Sequence, residues 1–147
     1  MLSLSEPTFF LWVHIVAACI WIGGQVTVAT IIPLLRDHRD LARRAGRRYQ
    51  AVAWPAFAVL IVTGIVNVGN AGLRWSQLLD SSAGRTLVVK LILVALSGLA
   101  AGVHSFVQAP RRSHATGGSA IGSAVLGSVS LITALLAAFY GVAIAGV

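Results

Sequence analysis

Charged residues are scarce in this chain, at 10% of its 147 residues, whereas an average soluble domain has about 25%. Hydrophobic residues make up 57% of the sequence, and the mean hydropathy is +0.87. A water-soluble protein of this size has too much surface to cover with so few charges. This shortage excludes an ordinary soluble enzyme and a disordered chain, and it leaves a polytopic membrane protein.

Soft metal ligands and intramembrane carboxylates are also scarce. The chain has one methionine and one cysteine, Cys19, so it can form no internal disulfide and offers little sulfur for a copper site. Its apolar segments hold no Asp or Glu, which argues against proton-coupled transport through a carboxylate. The sequence also shows no hydrolase constellation, zinc pattern or phosphate-binding glycine loop.

Basic residues outnumber acidic ones, and the formal net charge is +7. Six of the ten arginines lie between Arg36 and Arg48, and this cluster separates two apolar segments. Such a position is typical of a signal for membrane orientation, so no nucleic-acid partner is expected.

Four apolar segments are long enough to cross a bilayer, which takes roughly 20 residues of helix. They run over about 7–35, 49–70, 86–108 and 119–147. The predicted fold class is therefore all-α, an integral membrane four-helix bundle that forms a single transmembrane domain over residues 1–147. Pro7 suits the first turn of the first helix.

The connections between these segments differ in charge. Residues 36–48 and 109–118 together hold eight arginines, whereas residues 72–85 hold two. The positive-inside rule places the two Arg-rich connections in the cytoplasm and both termini on the non-cytoplasmic side. The predicted location is the bacterial cytoplasmic (inner) membrane, with the lipid bilayer as the first partner.

Small residues allow close approach of helices in the membrane. They occur at Gly98 and Gly102 and throughout the Gly- and Ser-rich run over 117–130. These faces suit a compact bundle, and they also leave open a homo-oligomer or attachment to a larger membrane complex.

Polar side chains within the hydrocarbon are costly, so each is a candidate functional residue. The list is His14, Gln25, Asn67, Lys90, His104 and Tyr140. His14 lies 22 residues before Arg36, and Lys90 lies 21 residues before Arg111, which predicts similar depths in the outer half of the membrane. Asn67, 19 residues after Arg48, lies at a similar height.

His104 lies only 7 residues before Arg111, near the cytoplasmic surface. The expected separation from His14 is about 22 Å along the helix axis. The two histidines are therefore not expected to share one metal centre.

Helical spacing groups the candidates by face. Lys90, Ser97 and His104 are seven residues apart and form one stripe. On the first helix, His14, Trp21 and Gln25 share a face at 100° per residue. These stripes predict an outer cluster of His14, Asn67 and Lys90 and an inner cluster of Gln25 and His104.

Four of these candidates also have a structural interpretation. Lys90 is close enough to its helix start to extend its ammonium to the surface, and His104 is close enough to the interface to hydrogen-bond a carbonyl. Gln25 and Asn67 are residue types that join helices by hydrogen bonds. Cys19 suits a small buried apolar position.

Two metal centres suit these groups. Haem needs one or two axial ligands and an apolar slot between helices. His14 can supply one axial ligand and a deprotonated Lys90 the other, while His104 can ligate a second haem. A copper site would rest on His14, His104 and Cys19, without the methionines that copper conduits normally use.

Three segments together resemble the CopD-like membrane family. The first is Trp12-Val-His14 leading to Trp21-Ile-Gly-Gly, and the second is Arg47-Arg-Tyr-Gln-Ala-Val-Ala-Trp-Pro55 leading to Thr63-Gly64. The third is Lys90-Leu-Ile-Leu-Val-Ala-Leu leading to His104 and Pro110-Arg111.

The resemblance covers nearly the whole chain and implies copper uptake or resistance. The family is similar in turn to the HemJ-type protoporphyrinogen oxidase, which binds haem b. There a first-helix histidine and a third-helix lysine form the important pair, and they correspond to His14 and Lys90.

The leading hypothesis is therefore a small CopD-like membrane protein that holds haem b for electron transfer or haem handling. Its candidate cofactor-binding residues are His14, Lys90, His104, Asn67, Trp21 and Gln25, with His14 and His104 as metal ligands. The second hypothesis is a copper uptake or resistance protein that uses the histidines. The third is a non-catalytic subunit of a larger membrane complex.

Overall fold

Four α-helices make up most of the computed structural model, which describes residues 5–35, 37–72, 78–108 and 120–145. They are α1 (Glu6–Ile31), α2 (Arg39–Asn70), α3 (Ser82–Gln108) and α4 (Ala120–Ala145). A short 3-10 helix (Ile32–Leu35) follows α1. No strand occurs in these described ranges, so the all-α prediction is confirmed.

All four helices contain a stretch that is long and apolar enough to cross a membrane. The candidate spans are Glu6–Leu35, Asp40–Asn70, Ser82–Phe106 and Gly122–Ala143, and each contains a window of 18 residues with a mean hydropathy of 2.0 or more. The chain is therefore a multi-pass membrane protein. The orientation of its termini stays a prediction, and Arg111 and Arg112, on which it depends in part, lie outside the described residues.

Prolines define both ends of α1. Pro7 lies in the first turn, where its missing N–H is not needed. Pro33 follows the last helical residue by two positions, and its lack of an N–H favours the change from α-helix to 3-10 helix.

Helix α2 begins about ten residues before the second apolar segment. It starts at Arg39 and continues through the arginines to Asn70, with Pro55 in its interior. The physical reason is local, because Arg, Leu, Ala and Gln are strong helix formers and no proline interrupts residues 39–54. Five of the arginines expected in a connection therefore lie on a helix: Arg39, Arg43, Arg44, Arg47 and Arg48.

The ends of α2 and α3 carry recognisable capping residues. Gly72, just after α2, has a φ of 70°, which is a left-handed conformation that favours glycine. Ser81 precedes α3, and its Oγ accepts a hydrogen bond of 3.0 Å from the Gly84 N–H.

The chain divides into two compact units, Met1–Leu78 and Leu79–Val147. The first contains α1 packed on α2, and the second contains α3 packed on α4. We refer to these as the first and second helix pairs. Buried apolar residues of the first pair include Ala17, Trp21, Ala53, Ala56 and Leu60, and those of the second include Leu87, Ala100, Ala134 and Ala137.

Candidate functional site

His14 on α1 is hydrogen-bonded to α2. Its Nδ1 lies 3.0 Å from the Oγ1 of Thr63, and Thr63 is only 4% exposed. The Thr63 hydroxyl donates its single proton to the carbonyl of Val59, one turn earlier, at 2.7 Å. The Thr63 oxygen therefore accepts from the Nδ1–H of His14, which places the lone pair of the neutral imidazole on Nε2.

Gly64 leaves space for the His14 ring on the facing helix. A Cβ atom at position 64 would lie 3.3 Å from His14 Cε1 and 3.8 Å from His14 Nδ1. Any larger side chain at position 64 would therefore press against the imidazole. Thr63 and Gly64 together fix the ring, one by a hydrogen bond and the other by the absence of a side chain.

Asn67 lies one turn after Thr63 on α2. Its Nδ2 atom is buried and finds no hydrogen-bond partner among the described residues. The helix-to-helix hydrogen bond considered for this amide is therefore not formed by its Nδ2 within that part of the chain.

Trp21 packs among aromatic rings. Its ring centroid lies 4.4 Å from that of Phe57 and 5.8 Å from that of Trp54. With 3% of its surface exposed, Trp21 is the largest side chain in the buried core of the first pair. These contacts give it a packing role between α1 and α2.

Gly24 and Gln25 follow on α1. A Cβ atom at Gly24 would lie 2.5 Å from Tyr49 Cε2, so the Tyr49 ring occupies the space that this glycine leaves. Gln25 donates from Nε2 to the Trp21 carbonyl at 3.2 Å, within its own helix. Gln25 is thus hydrogen-bonded locally.

The stripe predicted on α3 faces α4 along its whole length. Lys90, Ser97 and His104 each contact α4, at Gly141, Ser130 and Ser123 respectively. The heptad spacing on α3 therefore corresponds to one continuous line of contacts with α4, which we call the seam of the second pair.

Ser97 and Ser130 form the tightest part of this seam. Ser97 Oγ donates to the Ser130 carbonyl at 2.9 Å, and Ser130 Oγ donates to the Ser97 carbonyl at 3.0 Å. Ser97 is 1% exposed and Ser130 is 2% exposed. Because each short side chain reaches the opposite main chain, the two helix backbones are very close here.

His104 and Lys90 lie on either side of the serine pair. His104 Nδ1 is 3.3 Å from Ser123 Oγ, and a Cβ atom at Gly127 would be 3.8 Å from His104 Cε1. A Cβ atom at Gly141 would be 3.0 Å from Lys90 Nζ, so the half-buried lysine lies against a glycine of α4.

The structure thus places the candidates in two separate groups. His14 and Asn67 lie in the first pair near Thr63, whereas Lys90 and His104 lie along α4 in the second pair. The predicted outer cluster (His14, Asn67, Lys90) and inner cluster (Gln25, His104) each draw residues from both pairs, and both clusters stay predictions.

The sequence analysis missed the hydroxyl partners of the histidines, Thr63 and Ser123, and the role of Ser130. A sequence signal exists for Ser123. A short connection makes two helices antiparallel, so residues at equal distances from the connection face each other. His104 and Ser123 are each separated by four residues from the predicted 109–118 connection. The same counting does not find Thr63, because α2 begins about ten residues earlier than the predicted span.

Metal donors are sparse. Within the described ranges, no group of three or more His, Cys, Asp or Glu side chains is close enough to hold a metal ion. Cys19 is exposed on α1, so the expectation of a buried position is wrong. Neither His14 nor His104 belongs to such a group among the described residues.

Only part of this chain matches a known protein family. No curated protein and no solved structure matches this chain. A family model described as copper resistance protein D matches residues 43–146, which is more than two thirds of the chain. The matched residues include Lys90 and His104 but not His14, and they show that the chain belongs to the copper resistance protein D (CopD) family.

Proposed function

We propose that this protein handles copper in the bacterial inner membrane, with a copper ion as its cargo. The family match is the observation that carries this proposal, because it extends over α2, α3 and α4. It favours copper over haem b, although the sequence analysis placed haem b first. No finding supports haem b or a redox role.

His14 is the best-prepared ligand. Imidazole nitrogen is a good ligand for copper, and the Thr63 hydroxyl holds the His14 ring through Nδ1 at 3.0 Å. A hydrogen bond of this kind fixes the tautomer and the orientation of a ligand histidine. The nitrogen assigned to copper is Nε2, which carries the lone pair.

His104 is the second proposed ligand. Its Nδ1 lies 3.3 Å from Ser123 Oγ, which repeats the arrangement of an imidazole beside a hydroxyl on the facing helix. Because the sequence predicts different depths for the two histidines, about 22 Å apart along the helix axis, we propose one binding position for the cargo at each histidine.

The small number of donors suits passage better than storage. Stable copper sites combine several His, Cys or Met ligands, and the described part of the chain has no such cluster. A single imidazole at each position binds the ion weakly enough to release it again. This property is what a transport or resistance step requires.

The orientation of the chain and its assembly belong to the same proposal. The arginines of 36–48 and 109–118 are assigned to the cytoplasmic side by the positive-inside rule. Assembly into a homo-oligomer or a larger complex would use open small-residue positions. Gly23 is one, because a Cβ atom there would meet nothing within 4 Å.

A copper titration of the detergent-purified full chain tests the proposal. Cu(I) is added in competition with a chromophoric chelator, and the wild type is compared with His14→Ala, His104→Ala and the control His38→Ala. His38 is exposed between α1 and α2, and its removal should leave the affinity unchanged. Each of the other two variants should lose one binding position.

Two results would overturn the proposal. The first is copper binding that is the same in all four proteins, or absent from the wild type. The second is a Soret band in the purified wild type that His14→Ala or Lys90→Ala abolishes, which would restore haem b. Far-UV circular dichroism of each variant confirms that the helices are retained.

A further inference from the structure

Three arginines and an alanine of α2 line an open groove on the surface of the first pair. The residues are Arg44, Arg47, Arg48 and Ala51, and the groove measures about 360 Å³. Their spacing of three, four and seven residues puts them on one face of the helix. The groove is thus made by consecutive turns of a single rigid element.

We propose that this groove binds the phosphate group of an anionic phospholipid. Arg has a planar fork of N–H donors that matches phosphate oxygens in pairs. Residues 39–48 hold five arginines and one aspartate. Asp40 lies one turn before Arg44 and offsets one of these charges, so the face keeps a strong excess of positive charge.

The face that carries the arginines continues into the membrane as an apolar strip. Below Ala51, the same side of α2 presents Pro55, Val59 and Val62, all of them exposed, with Val62 at 60%. A phospholipid has the same order of parts, with a charged phosphate above apolar chains. Its phosphate would contact the arginines while an acyl chain follows the valines.

This continuity favours a lipid over a free phosphate ion. A soluble ion would use the arginines alone, whereas a lipid also uses the apolar strip. The positive-inside rule places the groove in the cytoplasmic leaflet, which carries anionic lipids. The positive charge of the groove and the apolar strip beside it therefore both favour an anionic phospholipid. The inference does not depend on copper binding.

The test uses the full chain in a mild non-ionic detergent, titrated with phosphatidylglycerol and separately with phosphatidylcholine. Native mass spectrometry measures the apparent Kd of the first lipid bound. The wild type should prefer phosphatidylglycerol. Arg44→Gln/Arg47→Gln/Arg48→Gln should lose about 100-fold in affinity for it, since each basic side chain at an anionic surface contributes about fivefold.

Arg43→Gln is the matched control. Arg43 is exposed in the same turn of the helix and has the same charge, but it does not line the groove. Its loss should be clearly smaller than that of Arg47→Gln. The triple Arg→Lys variant keeps every charge of the orientation signal. It should bind less tightly than the wild type, because lysine lacks the planar fork of donors with which arginine binds two phosphate oxygens in parallel. This variant replaces the Gln variant if the latter fails to insert.

Three outcomes would overturn the proposal. Equal affinity of the wild type for both lipids would show that the groove does not distinguish lipids by their charge. Equal losses for Arg43→Gln and Arg47→Gln would show a diffuse charge effect without a site. Full displacement of phosphatidylglycerol by excess inorganic phosphate would show that the ligand is a soluble phosphate.

Discussion

Helices α1 and α2 meet across aromatic rings, whereas α3 and α4 meet across serine hydroxyls and small residues. In the first pair, Trp21 packs against Phe57 and Trp54, which also contact each other. In the second, Ser97 and Ser130 each donate to the main chain of the other. Lipid supplies no hydrophobic driving force between helices, so packing and hydrogen bonds hold each pair together.

The two pairs also place their histidines differently. His14 lies at the end of the first pair that is far from the α1–α2 connection, and its partner Thr63 is buried. His104 lies near the α3–α4 connection, in line with the serine contact. The His14 ring is held by one buried hydroxyl, whereas the His104 ring lies in the same line of polar contacts as Ser97 and Ser130.

The largest expected effect is on the aromatic contact. Trp21→Ala should lower the free energy of unfolding by about 3 kcal/mol. The substitution leaves a cavity, and the side chains that line it lose dispersion contacts that lipid cannot replace. Unfolding in mixed micelles with increasing dodecyl sulfate, followed by circular dichroism, measures the change. Trp54→Ala is the control, since Trp54 is 38% exposed, and an equal loss there would show that burial of Trp21 is not what matters.

The next effect concerns the two histidines. Thr63→Val removes the acceptor of the His14 Nδ1–H and should weaken copper binding at His14 by about 10- to 100-fold, as is typical for partners of ligand histidines. Thr63→Ser should restore the affinity. Ser123→Ala should have the smaller effect, because its contact with His104 is longer, at 3.3 Å. A larger effect of Ser123→Ala would reverse our ranking of the two positions.

A smaller effect is expected at Gly24. Gly24→Ala should cost about 1 kcal/mol, since overpacking against Tyr49 costs more than the gain in helix propensity. Gly127→Ala in the second pair meets His104 only at an ordinary 3.8 Å and should be tolerated. The same micelle unfolding assay measures both. If Gly24→Ala is also tolerated, the Tyr49 ring can move aside at no cost.

The smallest effect is expected at the serine contact. Ser97→Ala should cost about 0.6 kcal/mol, the usual value for a hydrogen bond between helices in a membrane. Thr133→Val is the control, because the Thr133 hydroxyl donates to the carbonyls of Val129 and Ser130 in its own helix. Each substitution leaves in place the main-chain carbonyl that accepts the other hydroxyl, so Ser97→Ala/Ser130→Ala should lose about the sum of the two single losses. No loss of stability in this double variant would contradict the reciprocal pair.

Hydropathy alone predicted the four spans, because a run of apolar residues in a bilayer has few alternatives to a helix. It could not predict where α2 begins. Arg39–Arg48 interrupts the apolar pattern but not the helix, since helix formation needs backbone hydrogen bonds and compatible side chains, not hydrophobicity. The positive-inside rule uses only the number of these arginines. The helix shows in addition that Arg44, Arg47 and Arg48 lie on one face.

The contact of the α3 stripe with α4 was predictable from its heptad spacing. His14 drew attention because it lies among Val13, Ile15 and Val16, and its role in a site stays a prediction. Thr63 and Ser123 were missed because hydroxyls can also satisfy themselves on their own helix, as Thr27 does with the Gly23 carbonyl. Only the pairing of helices distinguishes the two uses. No single side chain in the sequence distinguishes a haem site from a copper site.

Helix α2 joins the arginine groove to the hydroxyl group that holds His14. Arg47 and Thr63 lie on the same rod, about 24 Å apart. Pro55 lies midway, and its missing N–H leaves the Ala51 carbonyl without its usual helical partner, so the rod bends most easily there. One continuous helix therefore carries both the arginine groove and the hydroxyl that holds His14, and its main-chain hydrogen bonding is weakest between them.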